Sequence, residues 1–143
     1  MTSTWEWIKE VISQLETLLS SLEDENGNAV FKEVVVGWKK SPKHWPCALI
    51  LPSEDLLSIP TVKHDYHRLR IIICVVAEKV TVKGSLLSAI ELAGRVHDAL
   101  VSDRTLNGTV DNLEVLRYDY MWPRVREYRR EYIALVTEYR RIL

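Results

Sequence analysis

The usual marks of a catalytic chain are scarce in this sequence. Only five glycines occur, and none falls in GxGxxG, a Walker loop or a GxSxG elbow, so the backbone cradles that hold phosphates and the turn that presents a nucleophilic serine have no counterpart. Cysteine is limited to Cys47 and Cys74, far apart and in no CxxC or Cys/His spacing. That pattern excludes a disulfide framework and a zinc knuckle, and it predicts two buried thiols in a reducing compartment. Long apolar runs are also missing. The longest, IIICVVA at 71–77, is far short of the ~20 residues that cross a bilayer, and the opening MTSTWEWIKEVISQLETLL carries acids inside its apolar pattern, unlike a signal peptide. The reading is a soluble, intracellular product without a membrane partner. Charge of one sign is lacking too: 19 basic against 20 acidic residues leave a formal net charge of -1, so no global field draws the chain toward nucleic acid.

What is present is a folding pattern. Apolar residues make up 47% and charged residues 27% of 143, the composition and size of one ordinary domain, read here as a single α+β domain over 1–143. Trp5, Ile8, Ile12, Leu15, Leu19 and Leu22 recur at helical spacing, with Ser3 or Thr4 as cap and DENGN at 24–28 as the stop. Trp7, Val11 and Leu18 widen the apolar stripe beyond one face. Residues 29–40 are rich in β-branched side chains and read as a strand. After a link bracketed by Pro42 and Pro46, CALIL at 47–51 reads as a short strand closed by Pro52. Residues 53–64 have the least pattern and are expected to form a mobile loop, with Leu56, Leu57 and Ile59 apolar enough to be covered by something. YHRLRIIICVV at 66–76 reads as a central strand, apolar on both faces, and 84–102 return to helical spacing. Leu106, Asn107 and Gly108 make a turn. Strands at 111–121 and 125–141 follow, joined near Pro123, although the last can also be drawn as a helix. The expected fold is a mainly antiparallel five-stranded sheet with two helices covering one face, in the order α-β-β-β-α-β-β.

Candidate chemistry is thin. His64 and His67 flank Asp65, but residues three apart on a strand point to opposite faces and do not readily chelate one ion, so no metal site and no cofactor are expected. His97 lies on the inner side of the second helix and reads as a packing histidine. The densest polar cluster is RVREYRREY at 124–132. Tyr and Arg are enriched where proteins meet, and in an extended strand Arg126, Tyr128, Arg130 and Tyr132 share one face while Arg129 shares the other with two glutamates. These five, with Leu56, Leu57 and Ile59, are the expected subunit interface. Arg–Tyr alternation can also clamp a nucleic-acid backbone, but the acids mixed into it dilute an anion-binding field.

The opening helix WEWIKEVISQLETLL, the proline-flanked CALILP, the strand RLRIIICVV and the helix LLSAIELAGRVHDALVSD running into TLNGTVDNLEV together resemble the tail terminator and tail-completion proteins of long-tailed bacteriophages. The resemblance implies a structural virion protein, assembled in the host cytoplasm, that closes the tail tube and helps join tail to head. It also implies no catalytic residue; a homo-oligomeric ring, commonly a hexamer, built by sheet edges and loops; tail-tube and head-completion proteins as partners; and a lumen through which DNA passes without specific binding. Two other readings stay open. A double-stranded RNA-binding module has the same opening order, but its second helix needs more lysines than Lys79 and Lys83 offer. A small α+β enzyme would have to use His64, His67 or His97.

Overall fold

The computed structural model describes residues 3–38, 43–58, 65–120 and 130–143. Helix α1 (Thr4–Ser21) starts from a capping box in which the Ser3 hydroxyl accepts from the Glu6 N–H and the Glu6 carboxylate accepts from the Ser3 N–H, satisfying two donors that the first turn leaves free. Its buried stripe is Trp7, Val11, Leu15 and Leu19. The stripe therefore lies one position round from the expected one, with Trp5 60% exposed and Ile8 and Ile12 on its shoulder. Both tryptophans fit an amphipathic pattern; the buried one is decided by a partner, because the Trp7 indole N–H donates to the Thr109 carbonyl at 2.9 Å. The expected stop is present: the Asp24 carboxylate accepts from the Asn26 and Asn28 N–H groups, and Gly27 takes the left-handed φ of 79° that costs glycine least.

Strand β1 (Glu33–Val36) is shorter than the 29–40 expected, since Gly37 turns to φ 98° and breaks the extended run. Strand β2 (Cys47–Ser58) is longer than CALIL. It passes through Pro52 at a register shift between Pro52 and Glu54, where a missing N–H is tolerated. Residues 53–58, expected in a loop, are therefore strand, and 59–64 lie outside the described residues. Strand β3 (Tyr66–Glu78) leads to α2 (Val82–Ser102). The Thr81 side chain caps α2 through the Gly84 N–H at 2.9 Å, and a Cβ at Gly84 would meet the Thr81 hydroxyl at the same 2.9 Å, so glycine is the residue that lets the cap close. The predicted turn forms with three successive left-handed residues, Leu106, Asn107 and Gly108, at φ 48°, 57° and 79°. The Asp103 carboxylate holds it through the Thr105 and Asn107 N–H groups. Strands β4 (Asn112–Asp119) and β5 (Arg130–Ile142) complete the chain; the ambiguous last segment is strand over 130–142, while 125–129 and the join near Pro123 lie outside the described residues.

The fold is α+β, in the expected element order, with one five-stranded sheet of order β1-β2-β3-β5-β4. All pairings are antiparallel except the parallel pair β1–β2, so the sheet is mixed, mostly antiparallel. Both helices cover one face. Leu69, Ile71, Ile73 and Val75 of β3 and Ile133, Leu135 and Tyr139 of β5 point into that layer, against the α1 stripe and against Ala89, Leu92, Val96 and Leu100 of α2. Among the described residues no helix is long and apolar enough to cross a membrane.

The two tryptophans give a direct test of the packing. Trp7→Ala should cost ~3–5 kcal/mol, as aromatic truncation in a core does, whereas Trp5→Ala should stay within ~0.5 kcal/mol; urea unfolding of the two variants beside wild type checks the contrast.

Candidate assembly surfaces

Side chains alternate along a strand, so the residues between the core positions of β3 and β5 lie on the face that neither helix covers. At one end of that face Cys47, Leu49, Cys74, Val76 and Tyr132 form a second apolar cluster, with Trp45 and Val35 packed on it. Both cysteines are free and buried. Burial, with the Cys47 thiol adding to it, pushes Cys74 up to about 12, so its thiolate is scarce at neutral pH and the residue acts as packing.

The other end is ionic, and register assembles it. Glu54 of β2, Arg70 of β3, Glu138 of β5 and Glu114 of β4 are successive cross-strand partners. Arg70 donates to Glu54 at 2.9 Å and to Glu138 at 3.0 Å. Glu138 and Glu114 face each other directly, a like-charge pair that would destabilise the sheet by itself. Arg140 bridges them, donating to Glu138 at 2.7 Å and through two nitrogens to Glu114 at 3.1 and 3.3 Å. The Glu138 carboxylate is 2% exposed. Burial raises its pKa, but the guanidinium hydrogen bonds of Arg140 and Arg70 outweigh that, and the carboxyl sits below the ordinary carboxylate range.

Several of the sequence-predicted interface residues have structural work inside the subunit. Tyr132 is buried in the second cluster and stacks on Trp38 with ring centroids 6.5 Å apart. Arg130 pairs with Glu78 at 3.0 Å and lies over the Trp45 ring at 4.2 Å. On β2, Leu57 is 61% exposed and Leu56 half-buried. Ile59, Arg126, Tyr128 and Arg129 lie outside the described residues, as does His64. The ionic row was not visible as a unit in the sequence, because its members come from four strands and only Glu138 and Arg140 are close in the chain; the signal available was an acid or arginine recurring at period two inside otherwise apolar strands.

The histidines separate. His67 is turned inward, with Nδ1 2.7 Å from the Asp55 carboxylate and its ring 5.5 Å from that of Trp7, so it belongs to the interior. His97 packs edge-on against Tyr118 at 5.9 Å. Among the described residues no group of three or more His, Cys, Asp or Glu is placed to hold a metal ion. An open cleft between the turn after α1 and the side of α2 contains Glu25, Glu91 and Arg95, but Arg95 is bound to both acids, at 2.7 and 3.0 Å.

No family model matches the chain, and no curated protein matches it. A solved structure does. The fold is similar to that of a chain in the structure described as the virion of a native gene transfer agent (GTA) particle, with a TM-score of 0.56 over 91% of this chain and 90% of that one. Sequence identity is 19%, so what the two share is the fold, over nearly the full length of both chains.

The ionic row makes a graded prediction. A carboxylate whose pKa is lowered on folding contributes stability above its unfolded pKa, ~4.3 for Glu, and that contribution is lost as pH falls through the lower folded value. Glu138→Gln should cost ~2–3 kcal/mol at neutral pH, because two guanidiniums lose a buried charged acceptor, and should flatten the fall in stability below pH ~4.3. Glu54→Gln, at a site 46% exposed, should cost under ~1 kcal/mol. Denaturant unfolding from pH 7 to pH 3 checks both; equal costs for the two variants would mean that the row does not hold the sheet as described.

Proposed function

We propose that this chain is a structural component of a phage-like virion, which closes the tail tube and helps join tail to head as a ring-forming subunit without catalysis. The observation that carries the reading is the near-complete mutual coverage with a virion chain, joined to the sequence resemblance to tail terminator proteins. In this reading Leu56 and Leu57, with Ile59, Arg126, Tyr128 and Arg129, contact neighbouring copies, while Arg130 and Tyr132 brace that contact segment from inside the subunit. The free sides of β1 and β4, which end the sheet, are the edges available to neighbours. Tail-tube and head-completion proteins are the remaining partners, and the place of action is the virion.

The electrostatics suit a channel that lets DNA pass. Arg70 and Arg140 are compensated by Glu54, Glu114 and Glu138, whereas Arg68, opposite Arg140 on the same face, is in no ion pair among the described residues, so phosphate contact on this face is expected to be limited and salt-sensitive.

Sedimentation and native mass across concentration should show a closed species at an integer multiple of the 16.6 kDa subunit; a particle that stays monomeric throughout would defeat the ring. Titration with duplex DNA and RNA should give only weak, salt-sensitive binding at physiological ionic strength. Submicromolar affinity there would favour the RNA-binding reading, with Lys79 and Lys83 at the start of α2 as its phosphate contacts.

A further inference from the structure

Two Asn–Gly pairs occur in the chain, Asn26–Gly27 and Asn107–Gly108, and all four residues are exposed. An asparagine followed by glycine can close a succinimide ring on itself, because the glycine, without a Cβ, leaves its nitrogen unhindered for attack on the asparagine Cγ. In both pairs the glycine N–H is engaged. Gly27 donates to the Asp24 carbonyl at 3.1 Å and Gly108 to the Thr105 hydroxyl at 3.3 Å, so neither ring closes until its turn opens. The two turns differ in what must open with them.

The turn at 24–28 is bonded mainly to itself. The Asn26 and Asn28 N–H groups donate to the Asp24 carboxylate, and the Asp24 N–H to the Asn28 carbonyl, while residues 25–29 are all exposed. Glu25 also pairs with Arg95 of α2, but its carboxylate is 77% exposed, so the pair adds little to hold the turn closed. Asn26 lies outside the left-handed region. The turn at 103–110 is anchored from two other elements. Leu106, Thr109 and Val110 are buried, and the Thr109 carbonyl accepts from the Trp7 indole of α1 at 2.9 Å and from the Arg141 guanidinium of β5 at 2.6 Å. The Asp103 carboxylate takes the Asn107 N–H at 2.7 Å. A φ of 57° places Asn107 in the left-handed region, where ψ is about +47°. That ψ turns the Gly108 nitrogen to the opposite side of the Cα–C bond from the Asn107 Cβ, whereas ring closure needs the two eclipsed.

We propose that Asn26 is a site of spontaneous deamidation in the folded subunit, and that the fold withholds Asn107 from the same reaction. The Gly27 nitrogen gives its proton to solvent and bonds to the Asn26 Cγ; the bond from Cγ to the side-chain nitrogen breaks, and that nitrogen leaves as ammonia with a proton from solvent. Water then opens the succinimide at either carbonyl, which leaves aspartate or isoaspartate. Each product adds a negative charge beside Asp24 and Glu25. Isoaspartate also inserts a methylene into the backbone of the turn, between the N–H groups that the Asp24 carboxylate gathers. The modification is independent of how copies assemble.

The test incubates the purified protein at mildly alkaline pH, folded and in urea, and follows each site by peptide mapping with mass detection that separates aspartate from isoaspartate. In the folded protein, conversion at Asn26 should outrun that at Asn107 by roughly tenfold or more, because the first turn opens locally and the second only with its anchors. In urea the two should react at similar rates. Asp103→Ala removes an exposed acceptor that holds the second turn; thermal unfolding should show it folded, with Asn107 reacting severalfold faster and Asn26 unchanged. Asn26→Gln should remove the early acidic species seen on ion exchange. Equal rates at the two sites in the folded protein, or a difference that persists in urea, overturn the proposal, as does a folded Asp103→Ala in which Asn107 reacts no faster.

Discussion

The antiparallel pairing of β3 with β5, from Tyr66↔Ile142 to Glu78↔Arg130, is the constraint on which the other layers depend. In that register Leu69, Ile71, Ile73 and Val75 stand opposite Tyr139, Thr137, Leu135 and Ile133 on the face that receives the helices. Arg70 stands opposite Glu138 on the other face. A slip of one residue would carry Glu138 into the apolar layer under the helices and bring core leucine to the open face. The register is thus held from both sides, by apolar burial on one and by a buried carboxylate with two guanidiniums on the other. Thr137 adds a polar lock inside the apolar layer, donating to the Ile71 carbonyl at 2.8 Å.

That division gives the two faces different properties. The helical face is closed by packing, while the open face is a short apolar cluster that passes into a row of compensated charge. The arginines of the row, Arg70 and Arg140, are partnered within the sheet, whereas Arg68 beside them is in no ion pair among the described residues.

The helical layer is asymmetric in a way that core packing leaves unexplained. Apolar side chains at the outer flanks of α1 and α2 add nothing to the stability of the isolated subunit. Exposed apolar surface is commonly retained for a partner.

By itself the sequence determined what is local. The 3.6-residue and two-residue periods located both helices and the strands of the centre, Ser3 marked the first helix start, and Leu106–Asn107–Gly108 marked the turn, because each of these depends on neighbours a few residues away. The α+β order followed from the same periods. Tertiary structure decided what depends on distant partners. Of two tryptophans that fit an amphipathic stripe, Trp7 is buried because Thr109 offers its carbonyl. The strand β2 continues past Pro52 because β3 is long enough to pair with it as far as Ser58↔Tyr66. The parallel pairing of β1 and the meeting of Glu54, Arg70, Glu138, Arg140 and Glu114 arise only from strand order. Cross-strand neighbours are chosen by register and not by chain proximity, so no window along the sequence contains them.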